Sequence, residues 1–183
     1  MRRLPQLLAV AVVLGLLGLL IWDVAHSHGG KIAQEVDAGK IIQAPTFTRP
    51  RVDSSGALSL AALRGKVVVL NFWQSYCAPC TKEAPTLAAA ARRWSGNRVV
   101  FVGVDEQDLR GPARAFIKRF AIGYPIVSDD GPLVGHYGVT GYPETFFVDR
   151  RGRVVPPHIV GPASRSGHDG LDASIRRALR TCT

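Results

Sequence analysis

Two cysteines between an apolar segment and a predicted helix constrain this chain more than any other feature. Cys77 and Cys80 follow the apolar segment 67–73, which is typical of a buried strand. A helix is predicted from Ala78, with Pro79 in its first turn, where the missing N–H breaks no hydrogen bond. The free N–H groups at the helix start favour a thiolate at Cys77. Because a thiolate is the species that attacks disulfides, this placement predicts a redox active site.

Other uses of the cysteine pair fit the sequence less well. A closed zinc site needs two more ligands, and neither the remaining cysteine, Cys182, nor the histidines show ligand spacing. A purely structural disulfide over so short a loop would constrain the unfolded chain very little. The sequence therefore predicts no metal and no other cofactor. Cys182 is interpreted as a free thiol, with intermolecular pairing as the alternative.

Length and charge limit the remaining possibilities. The 183 residues, 46% of them hydrophobic, suffice for one domain with attachments. The net charge of +9 comes mainly from arginines that occur singly or in pairs. Because there is no basic run interleaved with aromatic residues, no nucleic-acid partner is predicted. The charge instead indicates a solvated basic surface near anionic lipid.

The N-terminal segment determines the predicted compartment. Arg2 and Arg3 precede an apolar stretch over residues 4–22, which as a helix spans about 28 Å, close to the thickness of a bilayer core. The arginines should stay in the cytoplasm, which places the rest of the chain outside. We therefore expect residues 1–25 to form a single-pass anchor in a bacterial inner membrane. A cleaved signal peptide, ending near Ala25, is the alternative.

The rest of the chain divides into a polar tether over residues 26–41, part of which can be ordered, and a domain over residues 42–183. Strands are predicted at 58–60, 67–73, 98–105, 125–127, 145–148, 153–155 and 158–160. Helices are predicted at 78–94, 112–120, 133–137 and 171–180. This alternation predicts an α/β fold with a mixed central sheet flanked by helices.

Two segments carry a resemblance to a known family. Residues 67–80 (VVVLNFWQSYCAPC) and 138–149 (GVTGYPETFFVD) resemble the thioredoxin superfamily, and more narrowly its membrane-tethered TlpA/ResA/CcmG (DsbE) group. The resemblance implies a thioredoxin-like fold, with Cys77 as exposed nucleophile and Cys80 as buried resolving thiol. It also implies a cis peptide bond at Pro143, opposite the pair. Such a bond would expose the polar groups of Tyr142 to an extended substrate strand.

The chain departs from the wider superfamily at a buried position. Asn71 stands where cytoplasmic thioredoxins carry an aspartate, so their proton acceptor is missing. Glu83 and Glu144 are the candidates for the proton role, each with a raised pKa if burial disfavours its charge. A solvated surface carboxylate is the alternative for Glu83. Tyr76 is expected to flank the substrate groove or merely cover the helix start, and Trp73 to pack beneath the site.

By resemblance, the expected function is reduction of protein disulfides outside the cytoplasm. The implied substrate is the Cys-x-x-Cys-His pair of apocytochrome c, and the implied electron donor is a membrane thiol transporter of the CcdA/DsbD type. Three alternatives remain open from the sequence. They are an oxidant that forms disulfides in exported proteins, a thiol-based metallochaperone or binding module, and a peroxidase of the peroxiredoxin type.

Overall fold

The computed structural model of the chain describes residues 12–19, 31–96, 98–167 and 169–181. The helices are α1 (residues 12–19), α2 (Ile32–Asp37), α3 (Ala78–Trp94), α4 (Arg110–Arg119), α5 (Pro132–Tyr137) and α6 (Leu171–Arg180), with a 3₁₀ turn at Ala61–Leu63. The strands are β1 (Ile42–Gln43), β2 (Thr48–Pro50), β3 (Ala57–Ser59), β4 (Val67–Trp73), β5 (Val99–Glu106), β6 (Ile126–Asp129), β7 (Glu144–Val148) and β8 (Arg153–Val160). The predicted bounds of β4, α3 and α6 agree with the structure.

A six-stranded mixed sheet organises the domain in the order β1-β8-β7-β4-β5-β6. Strands β4, β5 and β6 are parallel, whereas β7 runs antiparallel to β4 and β8 antiparallel to β7. The first residue of β7, Glu144, therefore lies beside Phe72 at the carboxyl end of β4. This topology brings the segment before β7 next to the loop that leaves β4, which carries the cysteines. Strands β2 and β3 form a separate hairpin.

The central strand β4 is buried along its whole length, because both faces of the sheet are covered. On one face Val69 and Trp73 belong to a core that includes side chains of α3, α4 and α6. On the other face Leu70 and Phe72 belong to a core that includes side chains of α2 and α5. We name these the α3/α6 face and the α2/α5 face, after two of the helices that cover each. The polar side chains on the two faces differ.

Two regions differ from the sequence predictions. Within the predicted polar tether, residues 32–37 form α2, and its Ile32 and Val36 are buried in the core of the α2/α5 face. The packing of these two side chains orders a segment whose overall composition is polar. The last two predicted strands are one strand, β8, which continues through Pro156 and Pro157. The register between β7 and β8 is irregular opposite these prolines, which lets the strand accommodate them.

The predicted membrane anchor lies mostly outside the described residues, which include only positions 12–19 of it. Among all the residues that the structure describes, no helix is long and apolar enough to cross a bilayer. Cys182 also lies outside the described residues.

Candidate active site

The cysteine pair lies at the start of α3, just beyond the end of β4. Cys77 is the N-cap residue of the helix, and its Sγ accepts a hydrogen bond from the backbone N–H of Cys80 at 3.1 Å. The two cysteines form a disulfide with Sγ atoms 2.02 Å apart. Cys77 is 9% exposed and Cys80 only 1%, so the first sulfur is the one that another molecule can approach. The capping N–H and the helix dipole stabilise negative charge on the Cys77 sulfur once the disulfide is reduced.

The segment before β7 faces this disulfide. The peptide bond between Tyr142 and Pro143 is cis, as the resemblance implied. The carbonyl oxygen of Tyr142 lies 3.5 Å from the Sγ of Cys77. The carbonyl of Pro143 accepts a hydrogen bond from the N–H of Gly161 at 2.9 Å, which ties this segment to the end of β8. The half-buried Tyr142 thus forms one wall of the approach to Cys77.

Glu83 lies beneath the pair on the α3/α6 face and is 2% exposed, so the surface alternative is wrong. Its Oε1 accepts a hydrogen bond from Asn71 Nδ2, and its Oε2 accepts one from the N–H of Ala163, both at 2.8 Å. Burial raises the pKa of Glu83 to about 7, although both hydrogen bonds favour the ionised form. A cavity of about 10 Å³ is lined by both Cys80 and Glu83. Near neutral pH this carboxyl can therefore give up or accept a proton close to the buried sulfur.

Glu144 lies on the opposite face of the sheet and is 1% exposed. Its Oε1 accepts hydrogen bonds from the N–H groups of Thr140 and Gly141, at 2.9 and 3.1 Å, and its Oε2 lies 3.2 Å from Nε2 of His158. Burial disfavours its charge, but the contacts with His158 and Thr140 outweigh burial and lower the pKa of Glu144. The expectation of a raised pKa is thus wrong for Glu144. Its proton stays off at neutral pH, so it is poorly suited to exchange protons with the cysteines.

Two aromatic residues named from the sequence have different surroundings. Tyr76 is 69% exposed, directly before the reactive cysteine. Trp73 is 3% exposed and stacks on Phe116 of α4, with ring centroids 4.5 Å apart. Trp73 also lines the small cavity shared by Cys80 and Glu83. Tyr76 is therefore available to a bound substrate, whereas Trp73 is part of the floor of the site.

Sequence reasoning missed several residues that support the site. The N–H of Ser75, in the turn before the pair, donates to Asp108 Oδ2 at 2.7 Å. Asp105, beside Trp73 in the β4–β5 register, is 2% exposed, and burial together with the nearby Asp108 raises its pKa to about 8. The third residue is His158 of β8, whose ring contacts Glu144. Its position in a strand predicted to follow the Pro143 segment was the one available signal of proximity.

Comparison with known proteins agrees with this geometry. Residues 42–156, more than half of the chain, match the AhpC/TSA family. The chain belongs to the AhpC/TSA family. A similar sequence is the thiol-disulfide oxidoreductase ResA of Bacillus subtilis, 30% identical over 146 residues that cover 79% of this chain and 77% of ResA.

Solved structures that resemble the chain are of thiol–disulfide exchange proteins. A thiol:disulfide interchange protein of the thioredoxin family from Chlorobium tepidum is 29% identical, with a TM-score of 0.67, over 76% of this chain and 97% of that protein. A secreted Mycobacterium tuberculosis disulfide oxidoreductase homologous to Escherichia coli DsbE is 27% identical, with a TM-score of 0.61, over 73% and 96% of the two chains. With the Cys77–Cys80 pair, these similarities show a thioredoxin-like thiol–disulfide oxidoreductase of the ResA/DsbE type.

Proposed function

We propose that this oxidoreductase is an extracytoplasmic reductase of protein disulfides, including those of apocytochrome c during cytochrome c maturation. The observation that carries the proposal is the asymmetry of the pair. Cys77 is capped by a backbone N–H and faces the Tyr142 carbonyl, whereas Cys80 is buried above Glu83. One sulfur is therefore placed to meet a substrate and the other to complete the exchange.

The first step is attack by the Cys77 thiolate on a substrate disulfide. A bond forms between Cys77 Sγ and one substrate sulfur, the substrate S–S bond breaks, and the second substrate sulfur leaves as a thiolate and takes a proton from solvent. The substrate backbone runs beside Tyr142, whose polar groups next to the cis-proline pair with an extended chain. Tyr76, exposed beside Cys77, contributes to the wall of the same groove.

The second step releases the reduced substrate. Cys80 gives its proton to Glu83, and its thiolate attacks Cys77 Sγ, which forms the Cys77–Cys80 disulfide and expels the remaining substrate thiolate. Glu83 suits this role because its pKa of about 7 lets it accept a proton at neutral pH. The cavity that both groups line is about the size of one water molecule, which can relay the proton. Two electrons pass from the enzyme to the substrate.

The oxidised enzyme then needs a dithiol donor. We infer that this donor is a membrane thiol transporter of the CcdA/DsbD type, which passes two electrons to the Cys77–Cys80 disulfide. Support comes from the resemblance to the TlpA/ResA/CcmG group and from the similarity to ResA and to a DsbE homologue. The substrate assignment rests on the same similarities.

The N-terminal sequence supports the proposed extracytoplasmic location. Two arginines followed by an apolar stretch over residues 4–22 support a single-pass anchor in the inner membrane, with the catalytic domain on the periplasmic or outer side. A reporter enzyme active only outside the cytoplasm, fused after residue 183, tests this topology. Activity of the fusion in the membrane fraction supports the anchor, whereas activity in the released periplasmic fraction indicates a cleaved signal peptide.

The reduction potential of the pair tests the direction of the reaction. We would equilibrate the full chain, carrying Cys182→Ser so that only the pair titrates, in a series of dithiothreitol buffers. A potential near or below that of thioredoxin, about −270 mV, supports a reductase. A potential near that of DsbA, about −120 mV, makes the enzyme an oxidant of exported proteins instead.

A substrate assay then tests the apocytochrome assignment. An oxidised peptide with the Cys-x-x-Cys-His sequence is compared with the same peptide in which the histidine is alanine and with scrambled ribonuclease. Faster reduction of the first peptide supports the assignment. Equal rates on all three substrates would contradict it and leave a general reductase.

A further inference from the structure

A buried histidine of β8 connects the cis-proline segment to α2, which packs on β8. The side chain of His158 is 3% exposed and stacks on Phe146, with ring centroids 4.6 Å apart and planes 9° from parallel. Its Nδ1 lies 2.7 Å from Asp37 Oδ1 on α2, and its Nε2 lies 3.2 Å from Glu144 Oε2 on β7. The imidazole thus spans two carboxylates that are far apart in the sequence.

The two contacts define the protonation of the ring. An ionised carboxylate only accepts hydrogen bonds, so each ring nitrogen that faces one must carry a proton. Both contacts are satisfied only when His158 is an imidazolium. Burial disfavours this cation, but the hydrogen bonds to Glu144 and Asp37 and the charges of both outweigh burial and raise its pKa above 6.5.

His158 thus forms a bridge between Asp37 and Glu144. At its Glu144 end, the bridge contacts the Thr140–Tyr142 segment that precedes the cis-proline. Glu144 Oε2 contacts His158, while Oε1 accepts hydrogen bonds from the N–H and the hydroxyl of Thr140 and from the N–H of Gly141. Gly141 immediately precedes Tyr142, whose carbonyl lies 3.5 Å from Cys77 Sγ. The position of the Tyr142 carbonyl therefore depends on where Glu144 is held, and His158 limits the positions open to Glu144.

An irregularity in the sheet lets the histidine reach this position. The register between β7 and β8 shifts between Thr145 and Phe147, opposite Pro156 and Pro157. Such a bulge redirects the side chains of the strand that contains it. His158 follows the two prolines and lies flat on Phe146, the residue of β7 within the irregular stretch.

We propose that His158 is a positioning residue for thiol–disulfide exchange. Bound to Asp37, it holds Glu144 and thereby keeps the Thr140–Tyr142 segment in the place where a substrate chain docks beside Cys77. It does not touch the sulfurs. The proposal depends on exchange at Cys77 and on neither the direction nor the natural substrate proposed above.

Two chromogenic disulfides with the same leaving group test the proposal on the reduced full chain carrying Cys182→Ser, so that only the Cys77–Cys80 pair reacts. The first is a synthetic peptide whose single cysteine is bonded to thionitrobenzoate, and the second is the small symmetrical disulfide of thionitrobenzoate. The peptide needs the Tyr142 segment, whereas the small disulfide needs only the Cys77 sulfur. His158→Phe keeps a ring on Phe146 and removes both N–H donors. We expect it to slow the peptide reaction by tenfold to about a hundredfold, and to leave the small-disulfide reaction within about twofold.

His136→Phe is the matched control, since His136 is an exposed histidine on α5 and should change neither rate. Equal slowing of both reactions by His158→Phe would overturn the proposal, because the histidine would then be a general structural residue. Unchanged rates in both reactions would overturn it as well.

Two further measurements apply if His158→Phe does not fold. Asp37→Asn removes one end of the bridge at a half-exposed residue, and we expect it to slow the peptide reaction by about threefold without affecting the small disulfide. In the wild-type enzyme, the ¹⁵N shifts of His158 at pH 6 should report protons on both ring nitrogens. An unchanged peptide rate in Asp37→Asn, or a ring neutral at that pH, would contradict the bridge.

Discussion

Glu83 on the α3/α6 face and Glu144 on the α2/α5 face are both buried near the disulfide, and the two differ in charge. Glu83 is 2% exposed and Glu144 is 1% exposed, so burial disfavours ionisation of both. The pKa of Glu83 is raised to about 7, whereas that of Glu144 is lowered. Burial therefore does not determine the charge of a carboxyl group in this protein.

The difference arises from the partners of each group. Glu83 accepts two hydrogen bonds, from a neutral side-chain amide and from a backbone N–H. Glu144 accepts hydrogen bonds from the Thr140–Gly141 segment and faces the His158 ring, whose cationic form is favoured because Glu144 and Asp37 raise its pKa. A cationic partner offsets the cost of desolvation, and neutral donors alone offset only part of it. Glu83 is thus a carboxyl group that can exchange protons near pH 7, whereas Glu144 is a fixed negative charge.

The largest expected effect on stability comes from removing the negative charge of Glu144. Glu144→Gln leaves the buried His158 with only the half-exposed Asp37 as a counter-charge. We expect the free energy of unfolding at pH 6 to fall by about 3 kcal/mol, as when one partner of a buried ion pair is removed. Urea unfolding of the oxidised protein measures this change. A loss below about 1 kcal/mol would mean that the two faces do not differ in the way described.

The corresponding substitution on the α3/α6 face, Glu83→Gln, should raise the free energy of unfolding rather than lower it. Because the pKa of Glu83 is higher in the folded protein, its stabilising contribution is complete below pH 4.5 and is lost as the pH rises through about 7. Glu83→Gln removes that loss. At pH 8 the variant should be more stable than the wild type by up to about 3 kcal/mol, and at pH 4 the two should be equal. The same urea experiment at both pH values checks this, and an equal difference at both would contradict it.

The two glutamates should also affect different steps of exchange. Glu83→Gln removes the proton acceptor for Cys80, so attack by Cys80 on the mixed disulfide should slow by about a hundredfold at pH 7. Formation of the mixed disulfide at Cys77 should keep its rate. Acid quenching and mass spectrometry follow both steps, with Glu144→Gln as the control that should affect formation instead. Normal release of the substrate in Glu83→Gln would assign the proton transfer to another group.

A smaller effect is expected at the exposed end of the histidine bridge. Asp37→Asn should cost up to about 1 kcal/mol, because a carboxylate that is half exposed contributes little to stability.

The stabilisation from His158 is complete below pH 6.5 and is lost as the pH rises past its raised pKa. That from Glu144 is complete above pH 4.5 and is lost as the pH falls through its lowered pKa. Thermal unfolding of the variant and the wild type should therefore differ most between pH 4.5 and 6.5. A difference that grows at pH 9 would contradict this account.

The smallest effect is expected at Tyr76. Since it is 69% exposed, Tyr76→Ala should change stability by less than about 0.5 kcal/mol. If Tyr76 flanks the groove, the variant should react more slowly with the peptide disulfide, by less than about tenfold, and normally with the small disulfide. If it only covers the start of α3, the small disulfide should react faster and the peptide should not be slowed.

Much of the fold could be predicted because it depends on local pattern. The apolar segment 67–73 gave the bounds of β4, and the cysteine at the head of an alanine-rich segment gave those of α3. The packing of α2 against the core could not be predicted. This short helix buries only two side chains, which are too few to show the helical period of apolar residues. The continuity of β8 was also missed, because two prolines in sequence indicate a break. Only pairing with β7 shows that the strand continues.

The sequence by itself determined where the redox chemistry lies. The strand, the helix and its N-cap are local features that the sequence pattern specifies. A cysteine at the junction between strand and helix therefore has its sulfur at the helix N-terminus. The tertiary structure decided which nearby carboxyl group can move a proton. The donors that set the charge of Glu83 and Glu144 include Ala163 and His158, and Asp37 contacts His158 across 121 positions of the chain. Desolvation and these distant partners exist only once the chain has folded, so the sequence pattern named both glutamates but could not tell them apart.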